Sequence, residues 1–199
     1  MRAIVITVIA LSLSACSSPK DANESNFKKS VQEYLDTQSG ACISTDTAKD
    51  PFSLSDSDGK KKRADALVSA GLLSSTAKSV EISQMLGPPK IQAGSEYQVT
   101  SEGKKYFVKS EERYQSNSFC TGKLKVISVT SFTEPGAAFG ATISKVNFLY
   151  TIEDAAPWAK SEELKKADSN FAETVATEIK GRAVLILTNN GWVHEKKRS

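Results

Sequence analysis

The chain has 199 residues, 39% of them hydrophobic and 25% charged, with a net charge of +3. That is enough chain for one domain, or two small ones, with a real core. The near balance of acids and bases excludes the large basic field on which nucleic-acid binding relies.

Arg2 precedes a charge-free run over residues 3–13. The run is shorter than the roughly 20 apolar residues a helical membrane span needs. Its size and flanks are those of a secretory h-region. It ends in Leu13-Ser14-Ala15-Cys16. These four residues resemble the lipobox of bacterial lipoproteins. The resemblance implies that the Cys16 thiol receives a diacylglycerol, that residues 1–15 are removed as a signal peptide, and that Cys16 becomes an acylated N-terminus. The alternative is an ordinary signal peptide with an incidental cysteine. In that family Asp after the cysteine retains the protein in the inner membrane. Ser17 stands there instead, which points to the outer membrane, on its periplasmic side. No second apolar run is long enough to cross a bilayer, so the lipid would be the only anchor. With Cys16 acylated, Cys42 and Cys120 remain. In an oxidising periplasm such a pair reads as a disulfide; the alternative is two buried free thiols.

Residues 16–25 are polar and read as a lipidated tether. Ser25 or Asn26 is expected to cap a first helix running to about residue 38. Phe27, Val31, Tyr34 and Leu35 fall on one face of it, and Gly40 is a natural stop. Residues 45–59, rich in Ser, Asp and Pro, read as a loop. A second helix is expected over residues 60–70, with Gly71 as its stop. It opens on Lys60-Lys61-Lys62-Arg63, read either as an anion or headgroup contact or as a solvated first turn. Cations at a helix start oppose the macrodipole, so their placement needs an explanation. Short strands are expected over residues 80–86, 97–100 and 106–108. The stretches Leu67-Val68-Ser69-Ala70-Gly71-Leu72-Leu73 and Tyr97-Gln98-Val99-Thr100-Ser101-Glu102-Gly103 resemble the recognition helix and wing of winged-helix proteins. On a lipid-anchored protein that resemblance implies a binding scaffold without nucleic acid.

In the second half, residues 119–132 and 142–152 alternate as strands, with a turn at Glu134-Pro135-Gly136. Val146, Phe148, Tyr150 and Ile152 share one face. A helical stretch follows Pro157 and Trp158. It carries Leu164, Phe171, Val175 and Ile179, breaks near Asp168 or Ser169, and stops at Gly181. A strand over residues 183–188 turns at Asn189-Asn190-Gly191 into a return strand over residues 192–195. The expected fold class is α+β: a helical, winged-helix-like subdomain over residues 26–110, then an antiparallel sheet with helices on one face over residues 111–199.

Chemistry-bearing patterns are sparse. His194 is the only histidine, so a two-histidine metal site is excluded and no metal is expected. No Gly-x-Ser-x-Gly elbow, phosphate loop or zinc spacing occurs, and no cofactor is implied. Cys42 and Cys120 are far from a Cys-x-x-Cys arrangement. Glu111-Glu112 and Glu162-Glu163 are adjacent carboxylates, which do not face each other on a helix. Trp158 and Trp192 are candidate ligand contacts, or else packing residues. The stretch Phe119-Cys120-Thr121-Gly122-Lys123 and the passage over residues 150–158 are similar to uncharacterised proteobacterial lipoproteins. The expected function is non-enzymatic binding of another envelope protein, as an accessory or assembly factor. The alternative is binding of a small ligand or cell-wall fragment.

Overall fold

A computed structural model describes residues 18–197 apart from 86, 113, 114 and 139. The signal peptide and the lipidation expected at Cys16 lie outside the described residues. Helix α1 (Glu24–Leu35) buries Phe27, Val31 and Leu35 on one face, as their spacing predicts. Its cap is Asn23, earlier than Ser25 or Asn26, with its side chain accepting from Asn26 N at 2.9 Å. The chain continues through β1 (Ala41–Ser44), β2 (Phe52–Ser55), α2 (Lys61–Ser69), β3 (Leu73–Ile82), β4 (Lys90–Val99), β5 (Phe107–Val108) and β6 (Ser118–Thr121). It then forms β7 (Lys123–Phe132), β8 (Gly136–Ala138), β9 (Ala141–Glu153), α3 (Glu162–Ala167), α4 (Ser169–Thr174), β10 (Ile179–Thr188) and β11 (Gly191–His194).

The strands make three antiparallel sheets, in the orders β1-β6-β5, β2-β4-β3 and β11-β10-β9-β7, with β8 added on β9. The expected single strand over residues 119–132 is two strands in two sheets. It breaks at Gly122, whose φ of +72° suits glycine.

Two hydrophobic cores result. The first gathers Ile43, Leu67, Tyr97, Phe119, Trp158 and Phe171, among others, from β1, β4, β6 and the helices of both halves. The second is α1 on the β11-β10-β9-β7 sheet. There Phe27 and Val31 meet Val126, Val146, Leu185 and Trp192. Phe27 packs edge-on to both Phe132 and Trp192, with ring centroids 4.9 Å apart in each case.

Helix α1 also closes the free edge of β7. The Gln32 amide donates to Leu124 O at 2.9 Å and accepts from Val126 N at 2.8 Å. Lys28 Nζ donates to Ile127 O at 2.7 Å. These side chains satisfy backbone groups that an edge strand would otherwise offer to another chain.

The α+β expectation with a helical N-terminal half is overturned. Strand accounts for 42% and helix for 24% of the structure, the helices being four and short among the described residues. Residues 26–110 hold only α1 and α2 as α-helices, set among β1 to β5. The winged-helix reading fails with the helical frame it required. The helices expected to cover the C-terminal sheet, α3 and α4, pack instead in the first core through Leu164 and Phe171.

The physical reason lies in β3 and β4. Ser74 to Ser79 are all exposed, so β3 lacks the alternation that burial of one face imposes on sequence, and β4 shows it only at its base, in Tyr97 and Val99.

Candidate functional site

Strands β3 and β4 pair along their full length, from Leu73 opposite Val99 to Ile82 opposite Lys90. Their base is core: Leu73 and Val99 are buried. Their far end is an arm in solvent, where Met85 is 99% exposed and Ile91 76%. Near mid-length the sheet curls over β2. A Cβ on Gly94 would lie 2.3 Å from Leu54 O and 2.7 Å from Val80 Cγ2, so only glycine permits the approach. The curl encloses a trough of about 660 Å³, lined by residues including Thr45, Thr47, Lys49, Lys60, Lys78 and Glu81. Lys78 is paired with Glu96 across the strands. The trough is hydroxyl- and amine-rich, a surface suited to polar or carboxylate-bearing ligands.

Beneath it, α2 explains its own cations. Lys61 Nζ donates to Asp65 Oδ2 at 2.9 Å, and Asp56 lies 3.9 Å away. The hydrogen bond to Asp65 holds the Lys61 ammonium above its ordinary pKa, against the opposing effect of burial. Tyr97 OH donates to Asp65 Oδ1 at 2.6 Å. Burial first, then that hydrogen bond, pushes the phenol upward. Arg63 lies between two acids: Nη1 is 2.5 Å from Asp46 and Nε 3.2 Å from Asp168. Asp168 also caps α4 by accepting from Phe171 N. Lys62 Nζ donates to Lys166 O, near the C-terminal end of α3, where cations are favoured. The first turn of α2 therefore ties the 45–49 loop, α3 and α4 together.

The other candidate residues fall as follows. Cys42 stands directly opposite Cys120 in the β1–β6 register, and their Sγ atoms are 2.10 Å apart in a disulfide. Trp158 and Trp192 are buried in different cores. Trp158 stacks on Phe171 at 5.9 Å, and Trp192 Nε1 donates to Lys20 O at 3.1 Å. The structure does not bring the two indoles together. His194 is buried and stacks on Tyr34 at 3.8 Å, its Nδ1 accepting from Lys196 N. Burial pushes its pKa below the ordinary 6.5. Glu162 and Glu163 open α3, where Glu162 pairs with Lys165 and Glu163 accepts from Ser161 Oγ at 3.0 Å. Glu111 and Glu112 are exposed.

Among the described residues no group of three or more His, Cys, Asp or Glu side chains is placed to hold a metal ion. None of the helices there is long and apolar enough to cross a membrane. The arm and the trough were missed by sequence reasoning. Met85-Leu86-Gly87-Pro88-Pro89 signals a turn, but its projection depends on a pairing that the polar strands do not announce. No family model, curated protein or solved structure matches the chain.

Proposed function

We propose that the protein is a lipoprotein, anchored through acylated Cys16 and facing the periplasm from the outer membrane. In this reading its body is non-enzymatic and binds another envelope protein as an accessory or assembly factor. The lipobox resemblance supports the address, and the Cys42–Cys120 disulfide agrees with an oxidising compartment. The arm carries the binding reading. Met85 and Ile91 stand almost free in solvent at the end of a two-stranded ribbon. Burying each against a partner is worth about 1.5–3 kcal/mol.

The test places a photo-crosslinking residue at Met85, at Ile91 and, as control, at the exposed Lys104, in the full chain in cells. Capture of one envelope protein from the arm but not from Lys104 is the expected result. Equal capture of abundant proteins from all three sites overturns the arm as the contact. A robust hydrolytic activity in the purified protein would refute the non-enzymatic reading.

The trough favours a second reading, in which a cell-wall fragment or other small polar ligand binds between β2 and β3. Calorimetry with soluble cell-wall fragments tests it. Binding that Lys60→Glu weakens supports this alternative, and heats that match dilution across the panel remove it.

A further inference from the structure

Residues 18–23 are fastened to the body. Ser18 N donates to Asp21 Oδ2 at 2.7 Å. Asn26 Nδ2 donates to Ser18 O at 2.8 Å and to Asp21 O at 2.9 Å. Trp192 Nε1 holds Lys20 O, and Pro19 lies against Gly191, where a Cβ would come within 2.8 Å of Pro19 O. Lys20 also borders a hollow with Gly140, Thr142, Ile186 and Thr188. The chain is thus fixed at the end of the β11-β10-β9-β7 sheet that carries the β8–β9 and β10–β11 turns. From an acylated Cys16 to Ser18 the backbone reaches at most about 7 Å. In the lipoprotein reading that end of the sheet lies within about 10 Å of the lipid.

The strand register fixes what the face opposite α1 presents. Nearest the tethered end, Ile143, Ile186 and Val193 form a half-buried apolar row. Beyond it lie Lys145 beside Val184, then Ser131, Asn147 and Arg182, then Leu149 beside Lys180. Lys125 follows, opposite Thr151. Lys125, Lys145, Lys180 and Arg182 are exposed, and none is in an ion pair among the described residues. A hollow of about 550 Å³ opens here between Lys145, Asn147 and Arg182, with Glu195 on its rim. Glu153 opposite Lys123 and Glu178 just before β10 are at the far end, and Glu134 is exposed in the β7–β8 turn.

We infer that this sheet face docks on the bilayer that holds the anchor, with its cations on anionic phospholipid headgroups. The inference rests on the lipoprotein reading. An apolar row beside the tether and unpaired cations farther along the same face suit an interface, the apolar side chains reaching the acyl boundary and the long basic side chains the phosphates. An acidic protein would match the charge equally. The short tether favours lipid, because it keeps this face within reach of the bilayer that holds the anchor, whereas an acidic protein would have to be recruited to it.

The test uses the lipidated full protein, purified from cells and placed in vesicles of phosphatidylcholine, alone or mixed with phosphatidylglycerol. Lysine acetylation is then mapped by mass spectrometry. Labelling of Lys125, Lys145 and Lys180 is expected to fall about fivefold in the anionic vesicles, while Lys90 and Lys104 are unchanged. The double variant Lys145→Glu, Arg182→Glu should stay vesicle-bound and folded by circular dichroism, and lose the protection at Lys125 and Lys180. An acylated Cys16 peptide with equal labelling in both vesicles overturns the face and leaves the anchor standing. An unacylated Cys16 peptide removes both. Protection in native outer-membrane fragments but not in pure lipid overturns the lipid assignment in favour of an acidic protein.

Discussion

Gln32 links α1 to β7 in the way a neighbouring strand would, and its removal has a calculable cost. Its amide makes two bonds to the β7 backbone, at 2.9 and 2.8 Å, and Val126 is 1% exposed. Each bond contributes about 0.5–1.5 kcal/mol net, and a buried N–H left without an acceptor costs about 1–3 kcal/mol. Gln32→Ala should therefore lower the free energy of unfolding by about 2–4 kcal/mol. Gln32→Met keeps most of the stem and removes only the amide, so it should lose nearly as much. Urea unfolding followed by circular dichroism, with the disulfide intact, reads both variants. The slope should hold while the midpoint falls. A Gln32→Met variant within about 0.5 kcal/mol of the parent would show that water serves the β7 edge as well as Gln32 does, and the edge-closing argument would fail. Hydrogen exchange gives an independent view, since the Val126 amide should exchange faster in both variants.

Three further expectations concern stability. Replacing Cys42 and Cys120 together by Ser opens a loop of sequence separation 78 and should cost about 3–5 kcal/mol, read from the urea midpoint; an unchanged midpoint would show the strand pair sufficient alone. Burial holds the folded pKa of His194 below 6.5, so the unfolded chain takes up its proton first as pH falls. This contribution should be full above about pH 6.5 and drain away below it, toward the folded pKa. His194→Gln should flatten that part of the profile, and an identical slope in the variant would assign it to other groups. Arg63→Met should destabilise by about 1–3 kcal/mol, because Asp46 and the half-buried Asp168 lose their shared partner; a neutral result would make the tie decorative.

Much of the fold was legible where one face meets a core. Phe27, Val31 and Leu35 announced α1, and the alternation of Val146 and Phe148 announced β9, because burial selects apolar residues at the period of the element. The polar strands β3 and β4 were legible only in part, at residues 80–82 and 97–99, for the converse reason: over much of the arm both faces meet water, and nothing selects. Gly181 misled in another way. It reads as a helix stop, yet it lies within β10 opposite Phe148, whose ring would be 2.3 Å from an added Cβ. The ring fills the place of the missing side chain, a pairing visible only once the register is known. At the candidate site, the Cys42–Cys120 pairing could be argued from the lipobox and compartment. Asp65, four residues after Lys61 on the same helix, is a pairing that helical spacing offers, but the acids that neutralise Arg63 could not be found so, because Asp46 and Asp168 come from distant loops. The trough could not either, since it exists only where Gly94 lets the sheet curl closely over β2.

The placement of α1 has a consequence for the order in which the protein is made and folds. The helix enters first, yet its apolar face is completed by β10 and β11 at the other end of the chain; the bond from Trp192 to Lys20 spans 172 residues. A chain emerging N-terminus first therefore carries Phe27 and Val31 only partly covered, by β7 and β9, until almost its last residues arrive. Pairings this distant in sequence form slowly. A partly exposed amphipathic helix is thus a normal stage in the folding of this chain, and a chain truncated before Trp192 would remain in it. Such a chain should be retained by holding chaperones, or cleared, even though every residue of the first core is present.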